Sequence, residues 1–368
     1  MRTLLFWLAC PAAFVLAQAP TPPVNSPEVQ ADRRVTFRLR AAKANQVTFF
    51  GDWMKTGDSL AMTRDEAGVW SVTTAPLPPS IYLYSFTLDG VTIADPVNPR
   101  IKLRSQTSAS MVEVPGPAAE APWQPRDVPH GAVEINWVNS KALGGDPRWV
   151  WIYTPPGYAK SGNHRYPVLY LFHGSNDIAG GWTLAGQMNF SLDNLLAEKK
   201  AEPMIVVMPY GHAVPFGSGR ERQSHNTELF ERHLFEDVAP MVEAKYRVKT
   251  GREQRAIAGL SMGGGQALSI GWRHLDKFSA VGVFSSSASQ DFEKQFAAAL
   301  AVPDATNAKL KVFWIGCGRD DPAFERAEEF AAMLKSKGIR HTWRATEGNH
   351  TYTYWRKYLA EFAPLLFR

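Results

Sequence analysis

The chain has 368 residues, 45% of them hydrophobic and 20% charged, a globular balance that suits one large and one small domain or two middling ones. Its formal charge is +5 and its pI about 9.1. No run of Lys or Arg is long enough to form a nucleic-acid patch, so the charge reads as a solvated basic surface.

Met1-Arg2 precedes an apolar run that ends in small residues at Ala17, the pattern of a secretory signal peptide over residues 1–17. Cleavage after Ala19 also fits, but would leave Pro20 beside the cut. The run is too short to span a bilayer comfortably, and no later segment is long and apolar enough, so no stable membrane insertion is expected after cleavage. Cys10 is an unfavourable lipoprotein cysteine because too little apolar sequence precedes it. It leaves with the signal, and Cys317 is then unpaired, as suits a secreted or periplasmic protein with a core large enough to need no disulfide. Nothing around Cys317 resembles a thiol-protease motif, and a buried small residue is expected there. Residues 18–27 are polar and Pro-rich without periodicity, and a disordered leader is expected.

Residues 28–114 read as all-β. Val35, Phe37 and Leu39 alternate with polar residues, further short strands fall at 47–50, 69–72 and 81–86, and Asp89-Gly90 is a hairpin turn. This spacing predicts a small immunoglobulin-like β-sandwich. Residues 115–127 hold four prolines and form a semi-rigid linker. Residues 128–368 change to α/β: apolar strand runs at 149–153, 168–172, 204–208, 280–284 and 311–315 alternate with helical stretches at 191–200, 228–245, 323–337 and 352–362, with a short strand at 341–345. A mostly parallel sheet with helices on both faces is predicted.

The chemistry centres on Gly259-Leu260-Ser261-Met262-Gly263. An apolar strand run precedes this Gly-x-Ser-x-Gly and a helical run follows, as a nucleophile elbow requires. A serine hydroxyl needs a base to take its proton. His350, in the polar loop 347–352 between the last strand and last helix, has the order and position of the base in an α/β-hydrolase. The acid belongs between them, and Asp320 and Asp321 both follow the strand at 311–315. Asp321 before Pro322 also suits a helix cap, and spacing alone does not separate the two. The N–H groups of Met262 and of Ser175, in the loop His173-Gly174-Ser175, are the expected oxyanion donors. Gly174 and Trp182 are expected near the substrate. No metal or cofactor motif is present: there is no His-Glu-x-x-His, no Gly-x-Gly-x-x-Gly opening a βα unit, and no Lys-Ser/Thr pair after the glycine run.

Residues 145–368 resemble the esterase D family of α/β-hydrolases, which includes the feruloyl and acetyl-xylan esterases of carbohydrate esterase family 1, enterochelin esterases and mycolyltransferases. The likeness rests on residues 153–158, Tyr166 to Gly174, Gly259 to Gly265, Gly316 to Asp321 and Gly348-Asn349-His350. It implies Asp321 as the acid, from the family's Gly-x-x-Asp. The family's Gly-Gly-His departs here to Gly348-Asn349-His350. Residues 28–114 resemble an early-set sandwich related to glycogen-binding modules, through Phe50 to Trp53, Gly68 to Trp70 and Asp89-Gly90. That likeness implies a sugar-stacking platform of Trp53, Trp70 and Tyr82, against which stands simple core packing.

The resemblance implies an exported serine esterase without cofactor, acting on a feruloyl or acetyl ester of a plant polysaccharide or oligosaccharide. A siderophore esterase and an acyltransferase are the enzyme alternatives. A carbohydrate-binding scaffold on an inactive hydrolase fold is the rival from another class.

Overall fold

The strand Ser80–Leu88 joins the two halves of the molecule. Successive strand side chains point to opposite faces. Tyr82, Tyr84 and Phe86 therefore enter the core of the sandwich, while Ile81 and Leu83 turn outward into a cluster with Trp182, Tyr352 and Trp355 of the second domain. The computed structural model describes residues 22–55, 57–117, 121–219 and 225–368. The signal segment expected at 1–17, residues 18–21 of the leader and 118–120 of the linker lie outside the described residues.

The sandwich has a four-stranded sheet ordered Glu28–Val29, Val35–Arg40, Val69–Thr73, Thr63–Arg64, and a second sheet built on Val47–Gly51, Ser80–Leu88 and Ala109–Val114. Phe37, Phe49 and Tyr84 meet between them, with Phe37 at 4.4 Å from Phe49 and 4.5 Å from Tyr84 between ring centroids. The expected sugar platform is corrected here. Trp70 and Tyr82 are only 8% and 4% exposed. Trp53 packs on the same core, edge-on to Tyr82 at 5.2 Å. Trp70 and Tyr82 are thus covered by neighbours, and Trp53, partly buried, is left without them as a stacking platform.

Residues 22–27 also differ from the disordered leader expected there. Ser26 Oγ donates to Asp95 at 2.6 Å and accepts from the Arg38 N–H at 3.1 Å. Arg38 and Arg40 donate to the carbonyls of Asn25 and Pro22. These partners lie far along the chain, which local composition cannot register. The 115–127 segment likewise does more than space two domains, since Ala121 and Trp123 are each 1% exposed within the interdomain cluster.

The second domain is an eight-stranded sheet, ordered Ala132–Ser140, Asp146–Thr154, Ile205–Pro209, Val168–Phe172, Arg255–Leu260, Ala280–Phe284, Val312–Gly318, Thr342–Thr346. Asp146–Thr154 runs antiparallel to both its neighbours, and every pair from Ile205–Pro209 onward is parallel. Tyr170 and Phe172 enter the core on one face, Leu169 and Leu171 that on the other. Burial on both faces is why these strands read as unbroken apolar runs. The edge strand Ala132–Ser140 was not among the predicted elements; half-exposed, it alternates instead of running apolar.

The single helix predicted at 228–245 is three pieces: Asn226–His233, a π-helical turn Leu234–Val238, and Ala239–Lys245. Pro240 lacks the N–H that would bond the Glu236 carbonyl, and its ring would strike it, so the ladder widens just upstream.

Candidate active site

Ser261 stands between the strand Arg255–Leu260 and the helix Met262–Arg273 with φ 52° and ψ −121°. A side-chain-bearing residue avoids that region, at a cost of about 1–3 kcal/mol. Two hydrogen bonds hold it: the Ser261 N–H donates to the Phe284 carbonyl at 2.8 Å, and the Ser261 carbonyl accepts from the Gly265 N–H at 3.0 Å. The turn closes only because its glycines are bare. A Cβ on Gly259 would lie 2.4 Å from the Gly263 backbone, and one on Gly263 would lie 2.5 Å from the His173 carbonyl oxygen. As the first residue of its helix, Met262 has no intrahelical partner for its N–H. That helix end favours negative charge.

The loop 173–175 packs against the elbow through a fixed imidazole. His173 Nδ1 donates to the Gly174 carbonyl and Nε2 accepts from the Gly211 N–H, both at 2.8 Å. Burial pushes the His173 pKa down to about 4, so the ring stays neutral and keeps that pattern. Gly174 and Ser175 line a cavity shared with Ser261 and His350.

His350 follows the strand Thr342–Thr346. Its Nδ1 lies 2.9 Å from each carboxylate oxygen of Asp321. The histidine side chain keeps 36% of its surface, whereas that of Asp321 keeps none. An acid on Nδ1 places the proton there and leaves the Nε2 lone pair facing outward. Asp320, in contrast, is exposed, and its N–H donates to the Gly348 carbonyl. The two functions considered for one aspartate coincide, because Asp321 also accepts from the Ala323 N–H at 2.8 Å as the turn closes. Burial raises the Asp321 pKa, but hydrogen bonds and charge from His350, with the Ser285 hydroxyl and the Ala323 N–H, outweigh it and hold the carboxyl below its usual value.

Sequence reasoning did not find Ser285. It ends the strand Ala280–Phe284 with φ 50°, and its hydroxyl bridges the Asp321 carboxylate and Trp355, whose Nε1 donates to it at 2.8 Å. Trp355 in turn sets its ring edge-to-face with His350, 5.0 Å between centroids. The available signal was a serine run directly after a buried parallel strand, at the sheet end where such folds place ligands.

Two openings meet at Ser261 and His350. A cleft of about 920 Å³ includes Gln266, Ser286, Phe292 and Arg326 in its lining. A cavity of about 230 Å³ lies toward the sandwich, bounded by Gly174, Ser175 and Trp355 and by Asp52, Lys102 and Arg104 from the first domain. Trp182, expected near the substrate, lines neither. It is fully buried, with its Nε1 donating to the Phe172 carbonyl at 2.9 Å, and it supports the strand below the site. Cys317 is buried beside Asp321, and burial with that nearby charge pushes its thiol up to about 12, which leaves it inert. Among the described residues, no three His, Cys, Asp or Glu side chains are grouped as a metal ion would need.

Strand order, strained elbow serine and histidine loop define an α/β-hydrolase of the esterase class. The chain belongs to the family described as putative esterase, which it matches over residues 140–366, well over half its length. It is 29% identical over 348 residues to an endo-1,4-β-xylanase/feruloyl esterase of Xylanibacter ruminicola, an alignment covering 93% of this chain and 46% of that protein. The chain thus spans less than half the length of that relative. Among solved structures, a ferulic acid esterase superposes with a TM-score of 0.54 at 26% identity, covering 64% of this chain and 97% of the other. The enterobactin esterase of Shigella flexneri, solved in the presence of enterobactin, reaches 0.66 at 18% identity over 90% of this chain and 92% of its own, a likeness of fold.

Proposed function

We propose that the protein is an exported serine carboxylic-ester hydrolase that releases feruloyl or acetyl groups from plant polysaccharide. The carrying observation is the imidazole of His350, held by both oxygens of Asp321 in a loop that lines the same cleft as the strained Ser261. Ser261 Oγ attacks the ester carbonyl carbon while its proton passes to His350 Nε2. The N–H groups of Met262 and Ser175 receive the oxyanion; one such donor contributes about 2.7–4 kcal/mol. The tetrahedral adduct collapses, His350 returns the proton to the departing alcohol, and the acyl group remains on Ser261. Water, deprotonated by His350, then forms the acid and frees the serine. The polysaccharide substrate is favoured by the xylanase/feruloyl esterase relative, whose alignment runs through both domains. Export rests on the signal-like residues 1–17.

A catecholate siderophore ester is the second reading, favoured by the enterobactin esterase fold covering 90% of this chain, sandwich included. The test is ester release by the purified protein from feruloylated arabinoxylan oligosaccharide, acetylated xylan, enterobactin and a simple aryl acetate. The Ser261→Ala variant should lose roughly 10⁴-fold or more of the rate. Ferulate or acetate release that disappears in the variant supports the first reading, and enterobactin cleavage alone supports the second. Aryl acetate cleavage alone keeps the serine mechanism and removes both natural substrates. If no ester is cleaved, the catalytic reading falls.

A further inference from the structure

The cavity of about 230 Å³ beside Ser261 contains a polar group that the serine mechanism does not use. Asp52 lies in the turn after the strand Val47–Gly51 and is 8% exposed. Among the described residues neither of its carboxylate oxygens has a hydrogen-bond partner, although the Leu83 N–H beside it favours the ionised form. Buried polar atoms are nearly always paired, and leaving one unpaired costs about 1–3 kcal/mol, more for a charge. The nearby charges acting on Asp52 are Arg356, buried in the seam, and Arg104, which lines the same cavity. Neither guanidinium forms an ion pair with it. The other cation lining the cavity, Lys102, is already paired with Asp177.

The position of Asp52 is tied to the catalytic domain. Asn349, the residue by which this chain departs from Gly-Gly-His, donates its Nδ2–H to the Asp52 carbonyl at 2.9 Å. The residue next to His350 thus fixes the sandwich turn against the histidine loop. A turn held this way, with the Asp52 carboxylate and the Arg104 guanidinium lining one cavity without pairing to each other, suits a neutral ligand hydroxyl: it donates its proton to a carboxylate and accepts from a guanidinium.

Resting on the esterase reading above, we propose that Asp52 is a specificity-determining residue of the site, contributed by the β-sandwich, and that with Arg104 it takes a free hydroxyl on the substrate. The hydroxyl belongs either to the phenol of an aromatic acyl group or to the sugar that carries the ester. A site built to bond a hydroxyl discriminates strongly against an analogue lacking it, because its own buried groups are then stranded.

The test compares methyl ferulate with methyl 3,4-dimethoxycinnamate, which has no free phenol, and with a feruloylated methyl arabinofuranoside. kcat/KM is measured for the full-length wild type, Asp52→Leu and Asp52→Asn. Binding of the same three esters to Ser261→Ala, with and without Asp52→Leu, is followed by calorimetry and needs no turnover. If the phenol is the partner, wild type prefers methyl ferulate over the dimethoxy ester by about 100-fold or more, and Asp52→Leu reduces the preference to a few-fold. If the sugar is the partner, the preference for the arabinofuranoside over methyl ferulate falls in the same way. Asp52→Asn, which keeps the shape and an acceptor, should retain part of either preference. Preferences unchanged in Asp52→Leu, or all three esters weakened alike, would overturn the proposal. Hydroxyl-dependent binding without any hydrolysis would preserve it and remove the esterase reading instead; binding without that dependence and without hydrolysis would remove both.

Discussion

Asp320 and Asp321 are neighbours with the same chemistry, yet only one faces His350. The difference is the turn: Asp321 points inward, buried, and Asp320 points to solvent. Asp321→Asn should keep the shape but stabilise the wrong imidazole tautomer, lowering kcat roughly 10⁴-fold, whereas Asp320→Asn should change kcat less than about threefold. Steady-state kinetics on an aryl acetate distinguishes them. The placement of Ser261 in an elbow and of His350 beside it was legible in the sequence, because an elbow is a local sequence of turn residues and the histidine loop directly follows a strand. The choice between the two aspartates was left to family resemblance, since a side chain's direction depends on the backbone of a turn. Ser285 was not legible at all, because its partners Asp321 and Trp355 come from other elements.

Among the elements, the elbow has the least room. Gly263→Ala would set a methyl 2.5 Å from the His173 carbonyl and 2.8 Å from the Phe172 backbone, neither of which is a flexible side-chain end. The helix and the loop 173–175 must then separate, at a cost of about 1–3 kcal/mol. Urea unfolding reads that loss. Activity should fall further than stability does, since the same displacement separates Met262 from Ser175. The central strands were legible as runs because both their faces are buried. The broken helix was not, since a proline one turn away and a hydrogen-bond donor on another strand decide it together: Asp237, in the π turn, accepts from Ser140 Oγ at 2.7 Å. The sandwich aromatics show the same limit from the other side. Composition and spacing favoured core packing over a platform for Trp53, Trp70 and Tyr82 without deciding it, and the packing itself shows where they lie.

At the scale of the whole molecule, charge crosses the seam between the domains. Lys102 of the sandwich pairs with Asp177 of the catalytic domain in a site where both are buried, and Tyr352 donates to the same carboxylate at 2.6 Å. Removing one partner of such a pair leaves an uncompensated charge, so Lys102→Met should cost about 3–5 kcal/mol. Calorimetry should show both domains unfolding together in the wild type. Asp52 adds a pH dependence. Burial pushes its pKa up to about 7, above the usual 3.8, so the folded state holds this proton more tightly than the unfolded state does, while still ionising near neutral pH. The stability this gives is complete below about pH 4 and is lost as pH rises through about 7, with a slope of up to about 1.4 kcal/mol per pH unit. The stability difference between wild type and Asp52→Asn, measured by urea unfolding at pH 5 and pH 8, should therefore move against the wild type at the higher pH.

Arg356 is fully buried in the same seam, donating to Ala185, Ser80 and Ile81 and lying 4.9 Å from the ring of Trp123. One side chain from the last helix thereby bonds the sandwich and the catalytic domain at once and stacks on the segment that joins them. The two halves are therefore poor candidates for exchange. A foreign sandwich grafted onto this catalytic domain would meet a guanidinium and a carboxylate that expect particular backbone carbonyls and one particular lysine. A chimaera would have to carry its seam with it, and the unit that can be moved between proteins is the pair of domains together.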